Sequence, residues 1–166
     1  MKDSPRTGSF VAAAGRDEHI LFASAFPGFV RPLDDDLLFI RDHGVGAIVT
    51  LTQESLLLPL KFRPYFVQLH LPVENLEPPT QSQLDRFVDF VDEQFDRDVN
   101  VVAHCLLGVG RTGTAIAAYR VSRGEDPETA ISELRRIRNF IETPEQEEAV
   151  NRFYDRLKKR GALPKE

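Results

Sequence analysis

The sequence predicts an α/β fold, a central and mostly parallel sheet of four to five strands flanked by helices on both faces. Three observations predict it. Short β-branched or aliphatic runs alternate with longer stretches whose apolar residues recur at helical spacing. The chain then closes on consecutive helical patterns with no further strand. Its 166 residues suit one domain with a self-sufficient core.

Taken in order, residues 1–17 are mostly small and polar with scattered charges, and are expected to form a flexible segment ahead of a single domain over 18–166. Strands are expected at Ile20–Ser24, Ala47–Leu51, Phe66–Leu71 and Val99–Ala103. Leu84, Phe87, Val88, Val91 and Phe95 share one face of a helix opening at Thr80, where Thr80 and Gln83 have capping-box spacing. A second helix is expected from Arg111 to Arg123, with Gly124 as its stop. A third opens at Asp126, with Pro127 in its first turn, and buries Ala130, Leu134, Ile137 and Ile141. A fourth opens at Thr143-Pro144 and buries Ala149, Val150, Phe153 and Leu157.

Composition narrows the function. The net charge of −5 argues against a general binder of nucleic acid or anionic membrane. A single cysteine excludes an internal disulfide and a cysteine-based metal cluster, which fits a reducing compartment. No apolar run is long enough to span a bilayer, and Phe10–Ala14 is too short for a signal-peptide core. The expectation is a cytoplasmic monomer that needs no cofactor or metal.

The chemistry concentrates in His104-Cys105-Leu106-Leu107-Gly108-Val109-Gly110-Arg111-Thr112-Gly113. This stretch follows an expected buried strand and opens an expected helix. A tight loop there points several backbone N–H groups into one concavity, where they and the helix dipole favour an anion. Gly108, Gly110 and Gly113 allow the turns and the close approach. A thiolate at Cys105 would be stabilised by the same N–H groups and by Arg111, whose planar fork can hold two phosphate oxygens. A nucleotide-binding P-loop would need Lys before its Thr, and a zinc site more Cys or His than the four scattered histidines provide. The bland alternative is that Cys105 is an inert thiol at a strand end.

Cys105, five residues and then Arg111 resemble the signature of the protein tyrosine phosphatase superfamily, and among its branches the chain is similar to the small atypical dual-specificity phosphatases. The likeness runs over about residues 20–157 and includes Leu84–Val88 and Ile141–Glu147. It implies a two-step reaction in the 18–166 domain. Cys105 attacks phosphorus, and water then hydrolyses the phosphocysteine. Leu106 to Arg111 bind the phosphoryl group. Thr112 resembles the hydroxyl that hydrogen-bonds the thiolate; the alternative is a helix residue bonded to backbone. His104 resembles the residue that orients the loop, and is equally readable as a satisfied buried histidine. Gln146 matches a position that orients the hydrolytic water, but it also forms a capping box with Thr143.

One departure matters. The family's general acid is an aspartate ahead of a proline-containing segment. Aligning Pro72-Val73-Glu74-Asn75-Leu76-Glu77-Pro78-Pro79 on its prolines places Asn75 there. An amide cannot supply a proton, and general acid catalysis is worth about 10²–10⁴-fold. Glu74 is the favoured substitute, with Glu77 second. Otherwise the leaving group departs unaided, or the protein is a catalytically weak phosphate-binding module. The expected substrate is a phosphorylated protein or a small aryl phosphate. Phosphoinositides are a minority reading, because the variable loop positions Leu106, Leu107 and Val109 carry no lysine. Arg135, Arg136, Arg138, Lys61 and Arg63 are weaker candidates for added positive charge.

Overall fold

The computed structural model describes residues 10–165. Five strands, β1 (Val11–Arg16), β2 (His19–Ser24), β3 (Val45–Thr50), β4 (Val67–His70) and β5 (Asn100–His104), form one sheet in the order β1-β2-β5-β3-β4. All neighbours are parallel except the β1–β2 hairpin. β5 lies at the centre, with Val101, Val102 and Ala103 inaccessible.

Helices cover both faces, as expected. On one side α1 (Leu33–Asp42) and a 3₁₀ turn at Leu60–Tyr65 bury Leu37, Ile40 and Phe62 against Phe22, Ile48 and Val102. On the other, α2 (Gln81–Asp96), α3 (Gly110–Ser122), α4 (Pro127–Ile137) and α5 (Pro144–Lys159) enclose the larger core. There Phe87, Phe95, Tyr119, Phe140 and Phe153 are almost wholly buried, each contributing on the order of 2–3 kcal/mol through burial. Alanines 115, 117 and 118 let α3 sit between the sheet and the other three helices. The capping boxes at Thr80/Gln83 and Thr143/Gln146 are formed, and Asp126 caps α4. Gly124, at φ 100°, follows the end of α3 in the left-handed region.

Two expectations need correction, and one helix was not anticipated. Residues 11–16 are not part of a flexible segment. Despite its alanines, β1 pairs with β2 across a bulge, Ala13 is buried, and Arg16 bonds Asp92 and Asp96 on α2. Residues 1–9 of the expected segment lie outside the described residues. α1, which the apolar pattern did not bring out, packs Leu37 and Ile40 on the sheet and carries Asp34, Asp35 and Asp36 in its first turn, where the helix dipole favours them. Finally, Ile137 is exposed. α4 ends there, Arg138 is extended, and Ile141 enters the core from the following loop in a left-handed conformation, φ 64°.

Candidate active site

Parallel strands place the functional loop where such folds bind ligands, beyond the carboxyl ends of the strands. β5 ends at His104, Cys105 follows, and α3 begins at Gly110. Cys105 is 3% exposed and Arg111 6%. The amides of Gly110, Arg111 and Thr112 belong to the first turn of α3, and N–H groups there have no intrahelical acceptor, so they are available to an anion.

Each segment around the loop fixes it. The Phe26 N–H donates to the Leu106 carbonyl at 2.9 Å and the Leu51 N–H to the His104 carbonyl at 2.9 Å. Gly108 sits at φ 74° against the end of β2; a Cβ there would lie 2.3 Å from the Ser24 carbonyl oxygen, so only glycine fits. The Ile141 N–H reaches the Val109 carbonyl at 3.2 Å. Leu106 and Leu107 remain 40% and 57% exposed and give the loop apolar surface.

His104 is inaccessible. Its Nδ1 lies 3.1 Å from the Cys105 carbonyl and its Nε2 2.8 Å from Thr50 Oγ1. A carbonyl can only accept, so Nδ1 carries the proton and Nε2 accepts from the Thr50 hydroxyl. Burial, with the nearby positive charge of His70 and Arg111, lowers its pKa to about 4. The ring is therefore a neutral bracket between β3 and the loop. Because the folded value lies below the ordinary 6.5, the unfolded chain binds more protons between about pH 6.5 and 4. This contribution to stability is whole above pH 6.5 and falls as pH drops through the window, by about 3 kcal/mol at the end. Urea midpoints measured across that range should fall in the native chain and flatten in His104→Gln; parallel curves would exclude His104 as the cause.

The Thr112 hydroxyl is buried without a hydrogen-bond partner. The helix-to-backbone role belongs instead to Thr114, whose hydroxyl donates to the Gly110 carbonyl at 2.7 Å. An unsatisfied buried hydroxyl costs about 1–3 kcal/mol, and no bond from it to the Cys105 sulfur is formed.

Arg111 Nη1 donates to the Val73 carbonyl at 2.9 Å, tying its guanidinium to the 72–79 loop. That loop is also held by Gln83 Nε2 on the Pro72 carbonyl and by a turn from Glu74 to Glu77 with Leu76 at φ 68°. Glu74, Asn75 and Glu77 are exposed. Glu74 and Glu77 line a shallow groove with Gln53, Thr80 and Gln83, and no residue of 105–111 lines it.

Gln146 is wholly buried. Its Oε1 accepts from the N–H groups of Glu142 (2.7 Å) and Thr143 (3.3 Å), and its Nε2 donates to the Glu77 carbonyl at 3.4 Å. It also abuts the loop that opens α3: a Cβ on Gly110 would lie 3.0 Å from Gln146 Nε2 and 2.7 Å from Glu142 Oε1. Glu142 is the neighbour that residue-type reasoning missed. The signal was its place immediately before the Thr143 cap.

The other basic candidates have structural partners. Arg135 bonds the Phe140 and Ile141 carbonyls and Glu147, so it fixes the segment leading to Glu142. Arg136 pairs with Glu133, Lys61 with Asp34, and Arg63 with the Leu58 carbonyl. Arg138 stacks on Phe140. Among the described residues, one group, Glu18, His19 and Asp98, gathers three potential metal ligands within 4.8 Å; it lies at the opposite end of the sheet. None of the described helices is long and apolar enough to cross a membrane.

Known proteins agree with this geometry. Residues 23–125 match the family described as "Polymorphic toxin system, DSP-PTPase phosphatase". The chain is 37% identical over 94 residues to the uncharacterized protein MJ0215 of Methanocaldococcus jannaschii, covering 56% of this chain and 58% of that one. It therefore spans less than two thirds of that relative. Tk-PTP in its active form is 26% identical, with a TM-score of 0.73 over 87% of this chain and 97% of its own. PTPMT1, solved in complex with PI(5)P, is 25% identical, with a TM-score of 0.75 over 89% and 97%. The cysteine-to-arginine loop on a five-stranded sheet and the match over residues 23–125 place this chain in the DSP-PTPase phosphatase family, a small atypical dual-specificity member of the protein tyrosine phosphatase superfamily.

Proposed function

We propose that the chain is a metal-independent phosphomonoester hydrolase that acts on phosphorylated protein or small aryl phosphates through a phosphocysteine. The observation that carries this reading is the burial of Cys105 and Arg111 in one anion-shaped loop at the head of α3. In the first step the Cys105 thiolate attacks phosphorus and the leaving oxygen departs. Loop amides and the Arg111 fork hold the equatorial oxygens, which supplies the charge stabilisation that phosphoryl transfer chiefly needs. In the second, water oriented by Gln146 attacks the phosphocysteine, and the Thr112 hydroxyl donates to the departing thiolate. A reactive lone thiol suits the cytoplasm, where it stays reduced.

The exposed Leu106 and Leu107 favour an aryl or apolar group beside the phosphate over a densely anionic headgroup. They set the phosphoinositide reading, to which PTPMT1 with its PI(5)P would point, below the aryl one. Asn75 favours one other reading, a phosphate-binding module with little turnover. The experiment is phosphate release from an aryl phosphate and a phosphotyrosine peptide in chelator, with acid quenching during turnover. The phosphoryl group is expected on the Cys105 peptide. No release under fresh reductant from mildly acidic to neutral pH would favour the binding module.

A further inference from the structure

We propose that Glu18, His19 and Asp98 form a structural site for one divalent transition-metal ion of the zinc type, at the end of the sheet remote from Cys105. The inference stands on the fold and does not depend on the reaction proposed above.

Two turns meet there. The β1–β2 hairpin reverses at Asp17, which is left-handed at φ 55°, and presents Glu18 and His19. After α2 the chain turns at Asp98, φ 61°, whose N–H donates to the Phe95 carbonyl at 3.0 Å. The Ile20 N–H donates to Asn100 Oδ1 at 2.9 Å and joins the two turns beside these side chains. One donor atom from each of Glu18, His19 and Asp98 lies within 4.8 Å of the other two. Atoms bonded to one zinc ion at about 2.1 Å are at most about 4 Å apart. Glu18 and Asp98 are exposed, so their carboxylates are free to close the remaining gap.

His19 is the fixed member. Its side chain is 14% exposed, and its ring stacks on Phe95 with centroids 5.5 Å apart. Nδ1 is buried without a partner, which is uncommon for a polar atom, and this leaves Nε2 as the ring nitrogen that a ligand can reach. Nε2 faces the cluster, 3.1 Å from Asp98 Oδ1. The charge there is unmatched. Two carboxylates converge, and no lysine or arginine among the described residues pairs with either. The basic side chains nearest in sequence are spent elsewhere, Arg16 on Asp92 and Asp96, and Arg97 on Glu93. One imidazole nitrogen with two carboxylate oxygens suits zinc and its neighbours; magnesium and calcium take oxygen donors.

The ion's role is mechanical. It links the hairpin that carries the alanine-rich edge strand β1 to the turn between α2 and β5. Cys105 follows the opposite end of β5, so the ion takes no part in phosphoryl transfer. An ion that binds the folded chain alone raises its stability by mass action.

The test is calorimetric titration of Zn²⁺, and separately of Mg²⁺, into the chelator-stripped full chain carrying Cys105→Ser, which removes the one thiol as a competing ligand. One Zn²⁺ should bind per chain and raise the melting temperature, and Mg²⁺ at the same concentration should do neither. Glu18→Gln and Asp98→Asn keep the size of two exposed side chains, so both should melt like the parent in chelator. Each should weaken Zn²⁺ binding about 10-fold or more. His19→Phe keeps a ring on Phe95 and should lose the site. Absence of Zn²⁺ binding by the parent, parental affinity in any of the three variants, or an equal thermal shift with Mg²⁺ would overturn the assignment.

Discussion

Arg111→Lys should lower kcat on an aryl phosphate by about 10³-fold, with a smaller change in KM. The charge survives this substitution, so the loss isolates geometry. Arg111 is almost fully buried and already spends one N–H on the Val73 carbonyl at 2.9 Å. A guanidinium has donors left for two phosphate oxygens in one plane; an ammonium is a point charge on a flexible stem and cannot serve all three acceptors at fixed angles. The transition state, with charge spread over the equatorial oxygens, should therefore suffer more than the ground state, which is why the effect belongs in kcat. The substitution also removes the tether of the 72–79 loop, so amide exchange at Val73–Glu77 should quicken. Native kcat in Arg111→Lys would mean that the loop amides alone hold the phosphoryl group. Steady-state kinetics and hydrogen exchange on the same sample read both effects.

Much of this arrangement was legible in the sequence because its determinants are local. The central strand at Val99–Ala103, the cap at Thr80 and the stop at Gly124 rest on runs of a few residues whose chemistry has one good solution. Cys105 to Arg111 is legible for the same reason: loop, thiol and fork are contiguous. What was missed depends on distant partners. Ala12-Ala13-Ala14 has little strand preference of its own, and becomes β1 only through pairing with β2 and the Arg16 contacts to α2. Leu33–Asp42 carries its three aspartates at one end, and its two core positions, Leu37 and Ile40, are too few to stand out as a stripe. Glu142 is the instructive case. Its chain neighbours mark it as the residue before a cap, while its approach to Gly110 depends on a left-handed Ile141 and a hydrogen bond to Val109 that no periodicity encodes.

Cys105→Ser should reduce phosphate release by about 10⁴-fold or more while leaving inorganic phosphate binding in place. The side chain is 3% exposed and the exchange replaces sulfur by the smaller oxygen, so packing changes little and melting should move only slightly. The chemical change is large. A thiol is an intrinsically stronger nucleophile than a hydroxyl, whereas a serine hydroxyl would have to be deprotonated by a base, and His104 is occupied by its bonds to Thr50 and the Cys105 carbonyl. The anion site, by contrast, is made of backbone amides and a guanidinium that the substitution leaves untouched. The two readings of the protein therefore separate in one variant. If the chain is a hydrolase, Cys105→Ser binds phosphate like the native protein, yields no phosphocysteine on acid quenching and releases no product. If it is a binding module, native chain and variant behave alike in all three assays, and the cysteine would be a packing residue at the end of β5.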